Sequence, residues 1–137
     1  MMRIKLNNQL GEMANVMTAL AEFSSDVGLE MEAAQAAELV LDELLNNIIT
    51  HAYLDADQHT IIVELCVSKN VLKIVISDDG IPFNPFKQKD PDLESSLSER
   101  EGGGMGVFLV KKFMDECSYQ RLEQRNIVTL VKFLTES

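Results

Sequence analysis

One long amphipathic segment, residues 30–53, constrains the fold of this chain most strongly. It is rich in Ala, Leu, Glu and Met, which favour helix, and its apolar residues recur every three or four positions. This apolar stripe consists of Ala37, Val40, Leu41, Leu44, Leu45, Ile48 and Ile49. A helix of this kind must bury one face against a second layer of structure, which a chain of 137 residues can supply within one domain.

A short strand and another helix are predicted ahead of this segment. Residues 3–6, RIKL, alternate in the manner of a strand. Residues 8–25 carry apolar side chains at helical spacing, and Asp-Val-Gly at 26–28 supplies a stop signal.

Two hairpins and a third helix are predicted after it. The segments at 61–67 and 71–77 are rich in β-branched residues and are separated by Ser-Lys-Asn, which indicates a hairpin. Residues 105–116 return to helical spacing. Residues 117–134 then read as two strands joined by the turn Glu-Gln-Arg-Asn at 123–126.

The segment between the first hairpin and the third helix has no periodicity. Residues 84–103 contain two of the three prolines and many charged and serine residues, and loops of this length are uncommon unless functional or disordered. We therefore predict a lid. Because helices and hairpins come in blocks, the order of elements predicts one α+β domain over residues 1–137, a two-layer sandwich of one mainly antiparallel, mixed sheet with helices on one face.

The composition argues against two classes of partner. The formal net charge of -10 opposes binding to nucleic acid or to an anionic membrane, and the only adjacent basic pair, Lys111 and Lys112, lies in the amphipathic segment 105–116. Cys66 and Cys117 show no CxxC spacing and are interpreted as reduced thiols. With no secretory leader pattern and no run of about 18 apolar residues, a cytoplasmic location is expected.

The first candidate motif is ELLNNIITHAY, residues 43–53, where polar side chains interrupt the helical stripe. At about 100° per residue, Glu43 and Asn47 lie roughly 40° apart on the edge of the apolar arc. They are either a solvated polar pair or a proton-accepting carboxylate beside an amide oxygen that binds a divalent cation. His51 falls within the apolar arc and is predicted to be a buried or hydrogen-bonded structural histidine.

The second motif is ISDDGIPFNPF, residues 76–86. Asp-Gly after a strand most often forms a turn. Alternatively, Asp78 accepts a hydrogen bond from an exocyclic amine such as that of adenine, and Gly80 lets the backbone approach the ring. Phe83 and Phe86 either flank a bound base or belong to the core.

The third motif is EGGGMGVFLV, residues 101–110, in which three successive glycines and Gly106 precede or open a predicted helix. Exposed backbone N–H groups and a positive helix terminus suit a polyphosphate, while a flexible lid hinge is the other interpretation, and both can hold. The spacing matches neither the Walker loop nor the Rossmann fingerprint.

The order of these motifs resembles the N box, G1 box and G2 box of the GHKL ATPase superfamily, which includes gyrase, the Hsp90 chaperones, histidine kinases and MutL proteins. Within it, DELLNNIITHAY, DDGIPFNP and GGGMGVFLVKKFMDE look most like the small serine kinases that act as anti-sigma factors in bacterial partner switching. The resemblance implies the Bergerat ATP-binding fold. Pro82 stands where most relatives have a second glycine.

Carried over residue by residue, the resemblance implies that Glu43 is the general base for the attacking hydroxyl and that Asn47 is the Mg²⁺ ligand. Asp78 would read adenine, with Gly80 beside it. The other implied nucleotide contacts are Pro82, Phe83, Arg100, Gly102, Gly103, Gly104, Met105, Gly106 and Val107. Among these, the glycines would line the triphosphate and Arg100 would contact the terminal phosphate.

The function implied by the resemblance is that of an ATP-dependent serine/threonine protein kinase and anti-sigma-type regulator. Such a protein uses ATP and Mg²⁺, phosphorylates a small antagonist protein of the STAS type, sequesters a sigma factor and forms a homodimer. One alternative is a nucleotide-dependent binding module without phosphotransfer. Another is the catalytic domain of a histidine kinase, although the short predicted strand and helix ahead of Glu43 fit the stand-alone kinases better than a phosphoacceptor hairpin.

Overall fold

Three helices and five strands make up the part of the chain that the computed structural model describes, residues 1–55, 57–87 and 104–135, with the side chains of 104 and 105 excepted. In chain order these elements are β1 (Met2–Asn7), α1 (Met13–Val27), α2 (Met31–His51), β2 (Thr60–Ser68), β3 (Val71–Asp78), α3 (Gly104–Phe113), β4 (Glu116–Leu122) and β5 (Arg125–Phe133). Short 3₁₀ turns cover Leu10–Glu12 and Pro85–Lys87. Most of the predicted lid lies outside the described residues.

The five strands form one sheet in the order β1-β2-β3-β5-β4, and every pairing between them is antiparallel. Successive side chains point to opposite faces, so that Val63, Ile76 and Val128 lie side by side in register on one face. All three are at most 5% exposed and share a core cluster with residues of the helices. The predicted fold class, an α+β sandwich with helices on one face of an antiparallel sheet, is confirmed.

The segment α2 fills the helical layer with the apolar stripe that the sequence predicted. Val40, Leu41 and Leu45 are fully buried, whereas Ile48 and Ile49 pack against the core from its edge. Burying one leucine side chain contributes about 2 kcal/mol, so the stripe fixes the rotation of α2 about its own axis. Its polar edge is thereby held in a defined direction.

Two helix boundaries differ from the prediction. The first helix begins at Met13 after a 3₁₀ turn and not at residue 8, although Gly28, at φ 67°, ends it as the Asp-Val-Gly signal indicated. The third ends at Phe113 and not at residue 116. There the Asp115 N–H donates to the carbonyl of Val131 at 2.8 Å, and the chain has already joined the sheet.

The turn of the second hairpin is shorter than predicted. Only Glu123 and Gln124 form it, at φ 51° and 65°, while Arg125 and Asn126 belong to β5. The first hairpin turns in the same way at Lys69 and Asn70. Positive φ at both central residues matches the right-handed twist of the flanking strands. It is a strained conformation for residues other than glycine and asparagine.

Cys66 and Cys117 are both free, in agreement with the prediction. Among the helices of the described ranges, none is long and apolar enough to cross a membrane.

Replacing Glu123 by Asn together with Gln124 by Gly should raise the free energy of unfolding by about 1 kcal/mol, because these residues adopt positive φ at lower cost. Urea denaturation of parent and variant measures the change. The matched pair Lys69→Asn and Asn70→Gly should gain less, since one turn residue there is already asparagine. A loss of stability in the first variant would show that Glu123 or Gln124 makes a stabilising contact that outweighs the strain.

Candidate functional site

A buried pair of polar side chains lies at the end of β3. Asp78 is opposite Asn126 of β5 in the sheet register, and each is 3% exposed. The Asn126 amide donates to Asp78 Oδ1 at 3.0 Å, and the Gly80 N–H donates to the same oxygen at 2.8 Å. No described residue donates to Asp78 Oδ2, so this oxygen can accept a hydrogen bond from a ligand.

Asn126 uses its whole amide to organise the surroundings of Asp78. Its Nδ2 also donates to the carbonyl of Ile81 at 2.8 Å. Its Oδ1 accepts from the Phe83 N–H at 3.3 Å and from the Tyr119 hydroxyl at 2.6 Å. The segment that follows Asp78 is therefore tied to the two C-terminal strands through one side chain.

Burial raises the pKa of Asp78 above its ordinary value, and the hydrogen bonds from Asn126 and Gly80 oppose this shift only in part. A carboxylate in this situation is stabilised by a further donor on its unused oxygen.

Gly80 is required by a close approach of two backbone segments. A Cβ atom at this position would lie 2.6 Å from the Ala52 Cβ and 2.7 Å from the Ala52 carbonyl oxygen. The neighbouring Ile81 N–H donates to that same carbonyl at 2.9 Å. The end of α2 thus rests directly on the turn after Asp78, and only glycine leaves room for this contact.

A second polar group lies at the contact between α2 and α3. Asn47 Nδ2 donates to Glu43 Oε1 at 3.4 Å, and both side chains are partly buried. A Cβ atom on Gly106 would overlap the Glu43 carboxylate, so the absence of a side chain in the first turn of α3 makes room for that carboxylate. Burial raises the pKa of Glu43, with a smaller contribution from Asp42 and an opposing one from Asn47.

This second group suits proton transfer and cation binding. A carboxylate of raised pKa is a stronger proton acceptor than an exposed one. Because Asn47 Nδ2 already donates to Glu43, the oxygen of its amide is left for a cation. The described residues contain no cluster of three or more His, Cys, Asp and Glu side chains that could hold a metal ion.

A family profile described as the histidine kinase-like ATPase domain matches residues 6–132. The chain belongs to this family.

Three curated relatives of this ATPase domain are informative. Serine/threonine-protein kinase BtrW of Bordetella bronchiseptica is 35% identical over 92 residues, which cover 67% of this chain and 65% of BtrW. The anti-sigma F factor of Clostridium novyi is 27% identical over 114 residues, 83% of this chain and 80% of that protein. Serine-protein kinase RsbW of Listeria monocytogenes is 25% identical over 122 residues, 86% of this chain and 77% of RsbW.

Two solved structures share the fold of this ATPase domain. The RsbU and RsbW domains of a Mycobacterium tuberculosis protein match with a TM-score of 0.66 at 12% identity, over all of this chain and 34% of that one. The histidine kinase domain from a blue-light activated kinase of Erythrobacter litoralis matches with a TM-score of 0.54 at 15% identity, over 90% and 60% of the two chains.

The ATPase domain brings the sequence-predicted residues to two places. Glu43, Asn47 and Gly106 meet between α2 and α3, whereas Asp78 and Gly80 lie at the end of β3 with Pro82 and Phe83 exposed just beyond. Gly104 and Met105 belong to the first turn of α3. The Val107 side chain is 5% exposed and part of the core, which leaves only its backbone to face a ligand. Arg100, Gly102 and Gly103 lie outside the described residues.

The structure shows how far the three ring side chains of the motifs, His51, Phe83 and Phe86, are buried. His51 is exposed, so the prediction of a buried or hydrogen-bonded histidine is wrong. It is the last residue of α2, and there the neighbouring Ala52, not His51, is the buried residue. Phe86 is partly buried and packs against the core, which favours the core interpretation, whereas Phe83 is 43% exposed.

Asn126 was missed by the sequence interpretation, which assigned it to a turn. The periodicity of β5 carries the signal, because Asn126, Val128 and Leu130 alternate onto the core face and only the first of them is polar. Recognising its partner requires the pairing of β3 with β5, which local patterns do not contain.

Asn126→Ala should lower the free energy of unfolding by about 3 kcal/mol, because the buried Asp78 carboxylate and partly buried groups on Ile81, Phe83 and Tyr119 lose their partner. Urea denaturation measures the loss. The control Asn46→Ala removes an amide whose hydrogen bonds are exposed and should cost less than about 0.5 kcal/mol. Equal losses in the two variants would refute the organising role of Asn126.

Proposed function

We propose that this chain is an ATP-dependent serine/threonine protein kinase that also acts as an anti-sigma-type regulator. The observation that carries the proposal is a pair of carboxylates at the two ends of one stretch of α2. Asp78 is buried beside the end of this helix, and Glu43 is partly buried nine positions before Ala52. The names of the relatives BtrW and RsbW, both serine kinases, support the activity.

Adenine would bind at the end of β3. Asp78 Oδ2 accepts a hydrogen bond from the exocyclic amine, and Asn126 and Gly80 hold the carboxylate in place through Oδ1. The exposed Pro82 and Phe83 lie on the segment that Asn126 anchors and contact the base from one side. A buried acceptor of this kind favours a base that carries an amine.

The triphosphate would extend from there towards α3. Ala52, the residue after α2, lies nine positions beyond Glu43, which at about 1.5 Å per residue is about 14 Å, a span comparable with an extended nucleoside triphosphate. The N-terminus of α3 presents backbone N–H groups and the positive end of the helix dipole to the phosphates. Gly102, Gly103, Gly104 and Gly106 are proposed to line this path, and Arg100 to contact the terminal phosphate.

Glu43 would orient the serine hydroxyl and accept its proton as the phosphoryl group is transferred. Its raised pKa and its contact with Gly106 at the start of α3 suit this role. Asn47 would hold Mg²⁺ through its amide oxygen, and the bound ion supplies neutralisation of the charge on the phosphates. Phosphoryl transfer depends mainly on such positioning and charge stabilisation.

The protein partners are proposed from the names of the relatives. A small antagonist of the STAS type would be the phosphorylated substrate and a sigma factor the sequestered protein, since relatives are named anti-sigma F factor. We also propose that the protein forms a homodimer and is located in the cytoplasm. The net charge of -10 disfavours nucleic acid and anionic membrane as partners.

Asp78→Asn should weaken ATP binding about 10- to 100-fold, because the carboxylate that accepts the adenine amine is lost. Calorimetric titration with ATP, with and without Mg²⁺, measures the affinity. The control Asp42→Asn alters an exposed carboxylate on α2 and should leave the affinity unchanged. If the parent protein binds no ATP, the proposal is refuted, and the chain is better described as a protein-interaction domain that does not use a nucleotide.

Glu43→Gln should reduce the rate of phosphotransfer about 10²- to 10⁴-fold while ATP binding is retained, because the amide cannot accept the proton. The assay follows labelled phosphate from ATP onto STAS-type proteins of the same organism. Glu38→Gln, on the exposed side of the same helix, is the matched control. If the parent binds ATP but transfers phosphate to none of these proteins, the nucleotide-dependent binding module is favoured.

A further inference from the structure

His59 lies between two carboxylates in the connection from α2 to β2. Its Nε2 is 2.7 Å from Asp55 Oδ1, and its Nδ1 is 3.2 Å from Asp79 Oδ1. The ring stacks on Tyr53 with a centroid separation of 4.2 Å and an interplanar angle of 14°. Its side chain is 18% exposed, so most of the ring is covered by these neighbours.

The two contacts together define the protonation state of the ring. A neutral imidazole carries one N–H and one acceptor nitrogen, whereas ionised carboxylates only accept hydrogen bonds. Both contacts are therefore satisfied only by the imidazolium, which donates from both nitrogens. In agreement, the hydrogen bond to Asp55, followed by that to Asp79, raises the pKa of His59, and the same bond lowers the pKa of Asp55.

The other charged groups described near the ring do not hydrogen-bond to its two nitrogens. Asp57 donates its backbone N–H to Asp55 Oδ1 at 3.1 Å, and from the β1 side the uncharged Asn8 accepts the backbone N–H of His59 through its Oδ1 at 2.9 Å. Burial, followed by the charges of Asp78 and Asp79, raises the pKa of the Tyr53 phenol, and Arg125 opposes this. Without the imidazolium, Asp55 and Asp79 would face each other as two like charges.

His59 and its two carboxylates connect two chain segments at the base-binding end of the proposed nucleotide site. Tyr53 and Asp55 follow α2 directly, and Asp79 stands between Asp78 and Gly80. The contact of Ala52 with Gly80 and Ile81 joins the same two segments through backbone atoms. His59 is thus an ionic clamp that acts in parallel with the Ala52 contact.

We propose that His59, as an imidazolium, is a positioning residue that holds the end of α2 against the turn after Asp78 and so keeps the nucleotide site in its binding geometry. The clamp is complete while the ring is protonated and both carboxylates are ionised, and it is lost as the pH rises through the pKa of His59 in the folded protein, because Asp55 and Asp79 then repel each other. Nucleotide affinity falls with it. The inference rests on the proposed nucleotide site.

The ionic clamp is tested without nucleotide by NMR titration of the His59 ring. His59 should titrate above the ordinary value of about 6.5, and Asp55→Asn should lower its titration midpoint. A His59 ring that titrates at or below the ordinary value in the parent, or whose midpoint does not change in Asp55→Asn, would overturn the inference.

The positioning role is tested by ATP titration of the parent, His59→Gln and the control His51→Gln between about pH 6 and pH 9, a range that spans histidine titration. Dividing the ATP affinity of the parent by that of His59→Gln at each pH removes the effect of ATP ionisation, which is the same for both proteins. This ratio should be about two- to fivefold at low pH and approach one at high pH, the range expected of a partly exposed ion pair. The His51→Gln ratio should stay at one throughout.

The outcomes separate this inference from the proposed function. ATP binding by the parent with a His59→Gln ratio that does not change with pH overturns the positioning role and leaves the nucleotide site intact. Absence of ATP binding by the parent at every pH overturns both, even where the NMR titration shows the raised pKa.

Discussion

Burial of the apolar face of α2 against the antiparallel sheet is the constraint on which the rest of the structure depends. Because Val40, Leu41 and Leu45 are fully buried, the helix can neither rotate nor slide without exposing them. Its polar edge is consequently held at the contact with α3, and its C-terminal end is held on the turn after β3. Two groups of candidate site residues, distant in sequence, are positioned by a single packed surface.

The electrostatics of the two groups follow a common rule. Among the described residues, each key carboxylate is paired with the amide of an asparagine and not with a basic side chain, as Asp78 is with Asn126 and Glu43 is with Asn47. An amide orients a carboxylate by donating a hydrogen bond but does not neutralise its charge. The remaining charge, which burial makes costly, is left for a ligand that carries an amine, a proton or a metal ion.

Periodicity predicted α2, both hairpins and the fold class, because each of these depends on which side chains share a face. Boundaries were less accurate wherever tertiary contacts decided them, as at Asp115, whose backbone already bonds to β5. The site was predicted to the extent that its residues lie in contiguous motifs. The roles of Asn126 and His59 were not predicted, because strand pairing and the path of the loop bring their partners to them. Local sequence patterns do not contain this information.

The order of the strands has a consequence for the synthesis of the chain. The strand β5, which follows β4 in the chain, is inserted between β3 and β4 and supplies Asn126 to Asp78 across 48 positions of sequence. Until β5 leaves the ribosome, β3 presents an unpaired edge, and Asp78 has only its own turn as a partner. The helices and the first hairpin can form early from local contacts, whereas the Asp78 end of the candidate site cannot assemble before β5 has been synthesised.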